Sequence, residues 1–341
     1  MRIEKASNRL VGIDLIKVIA CFLVIVLHTC FTLNDSRVTI SSIMYYTGVM
    51  AIPLFFMANG YLLFGKSRKD KWYSYKKIGR ILLLAFIYCV IISIYNGVMY
   101  HQFLNPFSEM LSNLFFAEGY LWFFWFFGAL ILIYLIFPAI DYLYLHKLKY
   151  FFIFSGFLIL AQCLVDFLNI YFSVEYNDLF QLHISQPFRL ESHLSYFVLG
   201  GVIKLLKPRI QKYAKLRNVL LLYVLAIVYQ FFMIKNFYPI NYCEFFYDNI
   251  IIIGLCSLFF IYISNIQKTK WDKEISLLAS LVMVTYIFHH FVIIAYGRFA
   301  KIVGLDFLYI FIIKLIFVYI ATSLLSWVLL KNPYLKEILK I

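Results

Sequence analysis

The feature that most limits this chain is a recurrence of apolar runs, each near the ~20 residues needed to cross a bilayer. With 64% hydrophobic and 14% charged residues in a chain of 341, a soluble fold would have too little interior to hide that surface. A transmembrane β-barrel would instead show short alternating strands and a far lower apolar content. The expected fold class is an all-α integral membrane protein with about ten transmembrane helices. The runs predict spans at 11–33, 43–64, 78–99, 121–142, 150–172, 190–206, 217–235, 247–264, 275–297 and 305–330. No remaining stretch is long or polar enough for a separate soluble domain, so residues 1–341 read as one transmembrane domain.

An even number of spans puts both termini on one side, and the basic residues choose that side. Lys and Arg crowd the N-terminus, the C-terminus and alternate loops, most densely in "GKSRKDKWYSYKK" and "KLLKPRIQKYAKLR". The opposite loops carry Glu109, Glu118, Glu175 and Asp178, with "GRFAKIVG" as the one basic exception. By the positive-inside rule both termini are cytoplasmic. The same rule accounts for the net charge of +14, so no nucleic-acid partner is expected. The first run is too long for a signal-peptide core and lacks a small-residue cleavage site, so it stays as the first span. The outer stretch "PFSEMLSNLFFAEGY" reads as a short re-entrant or interfacial helix. The six cysteines show no metal-ligand spacing, so no metal is expected. Free buried thiols are the default, with Cys30 and Cys243 as the pair that could meet on the outer face.

Ionisable residues inside a membrane are costly, and each raises a functional question. "GIDLIKVIACFLVIVLHTCFT" carries Asp14, Lys17 and His28. Lys17 and His28 are eleven residues apart, roughly 20° past three full turns, so they share a face about 16 Å apart along the axis. Asp14 lies one turn below Lys17, where it can pair with it. A bland alternative stands beside this stripe: an interfacial Asp14–Lys17 pair and an unrelated His28 at the outer boundary. His289 lies mid-span and, taken alone, suits a helix–helix hydrogen bond better than catalysis. His290 points about 100° away. Lys314 is mid-span in the last helix and needs a partner or a wet cavity. Arg189, Glu191 and His193 in "FRLESHLSY" read as a solvated interfacial helix start. Lys77 and Arg80 share a face at the entry of the third span, either as membrane anchors or as an anion clamp. No Walker-type loop, HExxH, GxSxG or Asp-rich metal motif occurs.

Taken together, these residues resemble the acyltransferase family 3 membrane proteins. The spacing Lys17-x10-His28 resembles the family's first-helix signature. "IPLFFMANGYLLFGK" is similar to its second helix, Lys77-x-x-Arg80 to its basic pair, "YLWFFWFFGALILIYLIFPAI" to its Leu-Trp-Phe helix, and "LVMVTYIFHHFVI" to the late helix with a Tyr and a His. The likeness covers nearly the whole chain and is nearest to the inner-membrane O-acetyltransferases of surface polysaccharides, such as the enterobacterial common antigen type. Tyr120 stands where the family often has His. Lys at 17 and 77 replaces the commoner Arg, keeping the charge but losing the bidentate fork.

The resemblance implies acetyl transfer in the bacterial inner membrane. Acetyl-CoA would be a cytoplasmic co-substrate rather than a resident cofactor, and a lipid-linked or surface glycan would be the acceptor. His28 would act as base or acyl carrier, with Asp14 fixing Lys17 and His289 completing the polar core. Lys17, Lys77 and Arg80 would hold the CoA phosphates, and Trp122 and Glu118 would line the substrate pocket. Homo-oligomerisation stays open. A secondary transporter, with Pro53 as its helix break, remains an alternative, as does a glycan-export subunit. So does a membrane domain serving an amino-acid-modifying enzyme, which would need a catalytic partner.

Overall fold

The computed structural model describes residues 10–30, 39–66, 70, 72–304 and 310–339. The basic N-terminal residues, Arg68, Lys69 and Lys71, and the edges of the first and last predicted spans (31–33 and 305–309) lie outside the described residues. Among the described residues there are helices and no strands. Ten helices occupy the ten predicted spans. They are α1 (Val11–Thr29), α2 (Ile40–Leu63), α3 (Tyr73–Tyr100), α4 (Trp122–His146), α5 (Leu148–Tyr176), α6 (Leu190–Ile210), α7 (Leu216–Asn236), α8 (Ile250–Ser264), α9 (Asp272–Val303) and α10 (Phe311–Leu329).

Eight of the ten are long and apolar enough to cross a bilayer. The other two differ for separate reasons. Helix α6 carries Glu191, His193, Lys204, Lys207 and Arg209, yet the run from Ser192 to Gly201 is buried throughout. Helix α8 has 15 residues, about 22 Å at 1.5 Å per residue, short of a ~30 Å hydrocarbon core.

Helices α2 and α4 form the centre: 72% of the most apolar stretch of each is buried, against 22% in α7 and α10. The peripheral helices therefore turn apolar side chains such as Leu221, Val228, Ile316 and Leu324 outward, as a lipid-facing surface requires. The contact between α2 and α6 is made by backbone. A Cβ on Gly60 would lie 1.8 Å from the Phe197 carbonyl oxygen, and one on Gly200 would lie 2.1 Å from that of Met57. Small residues permit this approach where lipid offers no hydrophobic drive between helices.

Helix α2 is not of one type throughout. Thr39 and Ser42 close a capping box at its start. Gly48–Met50 then forms one 3-10 turn before the helix resumes. The ring of Pro53 cannot tolerate the carbonyl of Val49 in an ordinary helical turn, which accounts for the change. The sequence's suspected helix break thus amounts to one tightened turn near the outer end.

The loops sort to two ends as their charges predict. At the basic end, Gly65 in a left-handed conformation donates its N–H to buried Asp141 at 2.7 Å. There Lys204 donates to the Phe64 carbonyl and Lys207 to that of Ser264, satisfying helix C-termini with cations. At the outer end, Pro106–Leu111 forms a short helix capped by Asn105 and continued by a π turn, Ser112–Phe116. This segment is the short helix expected from sequence, and it packs its Leu114 backbone against Gly128 of α4. All six cysteines are free.

Candidate active site

The outer end of α1 meets the first turn of α4 and the middle of α9. The His28 ring lies 5.0 Å from that of His289, 5.5 Å from Trp122 and 6.3 Å from His290, centroid to centroid. His289 is fully buried and His28 partly so. Three histidines and a tryptophan therefore close around one point, although they come from residues 28, 122 and 289–290.

Three hydrogen bonds explain how they are held. The Leu121–Trp122–Phe123 backbone turns through a 3-10 segment rather than running straight into α4. Asn113, buried under that turn, accepts from the Leu121 N–H at 2.7 Å. The Tyr286 hydroxyl, buried on α9, donates to the Phe123 carbonyl. One turn later His289 Nδ1–H donates to the Tyr286 carbonyl. That bond fixes the tautomer: Nε2 of His289 is left as the bare acceptor. It is buried and has no hydrogen-bond partner among the described residues. His28 likewise makes no hydrogen bond to a described residue, so its ring is held by packing alone. Two imidazoles with uncommitted nitrogens beside one another can pass or accept a proton from a third group between them.

The other end of the α1 stripe is cationic. Lys17 and Asp14 form an ion pair of 3.7 Å. Lys77 lies within Coulombic reach of Lys17, Lys66 and Arg80. Its ammonium also sits over the rings of Tyr73 (5.5 Å) and Tyr134 (6.0 Å). Lys66 shares the Tyr73 ring at 5.0 Å. Four cations and one carboxylate thus gather at the basic mouth, a cost in self-repulsion that a polyanion would relieve. Asp70 is engaged elsewhere, 2.9 Å from Lys76. Arg80 is exposed.

Of the residues singled out from sequence, Lys17, Lys77 and Arg80 meet at one end and His28, His289 and Trp122 at the other. Glu118 joins neither group. It is exposed after the π turn, where its N–H donates to the Ser112 carbonyl. Lys314 is half-buried within Coulombic reach of His28. Tyr286 and Asn113 escaped sequence reasoning because they act through backbone carbonyls and N–H groups. A Tyr one turn before His289 was the only visible signal.

The cluster at 189–193 is not the solvated helix start its composition suggests. His193 is 2% exposed and stacks between Phe56 and Trp125 at 4.9 and 5.3 Å. Arg189 is 8% exposed. Around them Gln162, Gln181, Gln186 and Ser192 satisfy two buried acids, Glu244 and Asp248, in the loop between α7 and α8. Burial pushes both carboxyls up to about 7. Arg189 and a Tyr242 hydrogen bond pull back on Glu244, while Glu191 adds to the rise at Asp248.

A folded-state pKa above the unfolded one means that protonation favours the fold. Stability contributed here is full below pH ~4 and is lost as pH rises towards about 7. Asp248→Asn is therefore expected to flatten the fall in thermal midpoint between about pH 5 and 8. Unfolding scans in detergent at stepped pH check this, and an unchanged slope would contradict it.

A family model described as "Acyltransferase domain" matches residues 10–331. No curated protein and no solved structure matches the chain.

Proposed function

The chain belongs to the acyltransferase domain family, and from that premise we propose that it transfers an acetyl group from cytoplasmic acetyl-CoA to a hydroxyl of a cell-surface glycan or its lipid-linked precursor, in the bacterial inner membrane. The observation that carries this reading is the division of labour along α1. A cationic mouth at Lys17 and a histidine group at His28 stand about 16 Å apart on one face. Phosphates of CoA would engage Lys17, Lys66, Lys77 and Arg80, and the pantetheine arm would run up the helix to deliver the thioester.

A thioester is already activated, so the protein has to align the acceptor and manage one proton. In this scheme His28 takes the proton from the acceptor hydroxyl as its oxygen attacks the carbonyl carbon. The carbon–sulfur bond then breaks and the CoA thiolate leaves with that proton. His289, its Nδ1 tied to the Tyr286 carbonyl, offers Nε2 to orient the hydroxyl or to share the proton. Trp122 covers the reacting atoms from the outer side. A transporter would need none of this and would move substrate without consuming acetyl-CoA.

The donor site is tested by kinetics. Lys77→Ala and Lys17→Ala are each expected to raise KM for acetyl-CoA by roughly tenfold, the size of one charge-assisted contact, with kcat nearly unchanged. The penalty should shrink with acetyl-CoA analogues lacking the 3′-phosphate for whichever lysine meets that group. An unaltered KM in both variants would rule out their phosphate role.

A further inference from the structure

Beyond the histidine group the outer loops leave an open cleft of about 360 Å³, within the ~300–1,000 Å³ usual for small-molecule sites. Trp122 lines it at one side, so the cleft adjoins the proposed reaction point. Ser185, Gln186, Arg189, Tyr242 and Phe245 complete the lining that matters here. Three separate outer segments contribute these residues, which places the cleft where an acceptor from outside the membrane would enter.

Arg189 is the unusual member. The residue is 8% exposed, and its guanidinium lies over the Phe245 ring at 5.5 Å. Nε donates to the Ile184 carbonyl at 3.1 Å and Nη2 to the Gln181 carbonyl at 2.9 Å. Both partners are neutral. Among the described residues no carboxylate comes within salt-bridge distance of it. Glu244, the acid nearest in chemistry, is instead engaged by the Gln186 side-chain amide. Glu244 and Glu191 lie within Coulombic reach of it without forming an ion pair, so its charge is only partly matched, and burial makes the remainder costly to leave so. The Gln186 amide donates to both Tyr242 and Glu244, so it and Tyr242 present acceptor oxygens suited to sugar hydroxyls. Trp122 adds an apolar face.

We propose that this cleft is the acceptor subsite, and that Arg189 selects an acceptor carrying an oxyanion, either the carboxylate of an acidic sugar or the phosphate of a lipid-linked precursor. The substrate class deepens the acyl-transfer reading and rests on it for the fate of the hydroxyl. Binding alone does not depend on that reading.

The test is a binding titration by tryptophan fluorescence on the purified full chain in detergent. The probes are tri-galacturonate, its carboxyl-reduced neutral counterpart, and a short polyprenyl diphosphate carrying N-acetylglucosamine. At least one anionic probe is expected to bind tenfold or more tightly than the neutral one. Preference for the uronate assigns the sugar carboxylate, and preference for the diphosphate assigns the phosphate. Arg189→Gln should abolish the preference. Because Arg189 also ties two loop carbonyls, thermal unfolding must first show that this variant folds. Ser185→Asp provides an independent route: it sets a carboxylate in the lining, changes net charge by one, and should also erase the preference. Equal binding of all three probes by the wild type, or a preference that survives Ser185→Asp, would overturn the assignment. Release of CoA thiol from acetyl-CoA by the same preparation reports separately on acyl transfer.

Discussion

Replacing His28 by alanine is expected to lower acetyl transfer by about 10²–10⁴, the usual worth of a positioned general base, or about 3–5 kcal/mol of barrier. The loss should fall on kcat. On the proposed scheme donor affinity would be set at the other end of α1, by Lys17 and the cations around Lys77, and the substitution leaves that end untouched. The fold should also survive. His28 is only partly buried and makes no hydrogen bond to a described residue, so the variant loses ring packing against Trp122 and His289 without orphaning a buried partner. A variant that folds, binds acetyl-CoA normally and turns over normally would remove His28 from the chemistry. His289→Ala is a less clean experiment, because His289 is fully buried and tied to the Tyr286 carbonyl.

The second large effect concerns architecture. Gly200→Val should prevent the chain from accumulating as a stable, monodisperse membrane protein. Even a single Cβ at this position would stand 2.1 Å from the Met57 carbonyl oxygen and 2.7 Å from the Tyr61 nitrogen. Both neighbours are backbone atoms of α2, so relief requires the two helices to part. Ordinary overpacking costs about 1–3 kcal/mol because side chains can shift. Here the central helix pair would have to open, and total stabilities of ~5–15 kcal/mol leave little reserve. Gly156→Val is the matched control, since its Cβ would meet nothing within 4 Å. Size-exclusion profiles and thermal midpoints of the two variants make the comparison. A Gly200→Val protein as stable as the control would refute the close-packed pair.

The gross fold was legible because membrane spans announce themselves by length and hydropathy, and the loops announce their side by charge. What was not legible follows from the same physics. Helix α6 reads as a span in sequence, but the charges at its start make residues 189–193 look solvated. Only the structure shows Arg189 and His193 buried, because the rings of Phe56 and Trp125 that enclose His193 are distant in sequence. The tightened turn at Gly48–Met50 was foreshadowed by Pro53 but not its modest size. At the site, the Lys17–His28 stripe follows from helix periodicity alone. That His289 and Trp122 close upon it is a matter of tertiary packing, and the spacing of the family motif was the only advance sign. Glu118, which the resemblance pairs with Trp122 in a substrate pocket, is exposed and engaged with the Ser112 carbonyl through its own backbone.

The central claim is most directly tested by giving the purified protein acetyl-labelled acetyl-CoA and a lipid-linked glycan extract, with His28→Ala alongside. Release of CoA thiol, label in the glycan fraction, and loss of both in the variant are expected. A correctly folded wild type that neither binds nor consumes acetyl-CoA would contradict the claim, and the family's architecture would then serve transport or assembly in this chain.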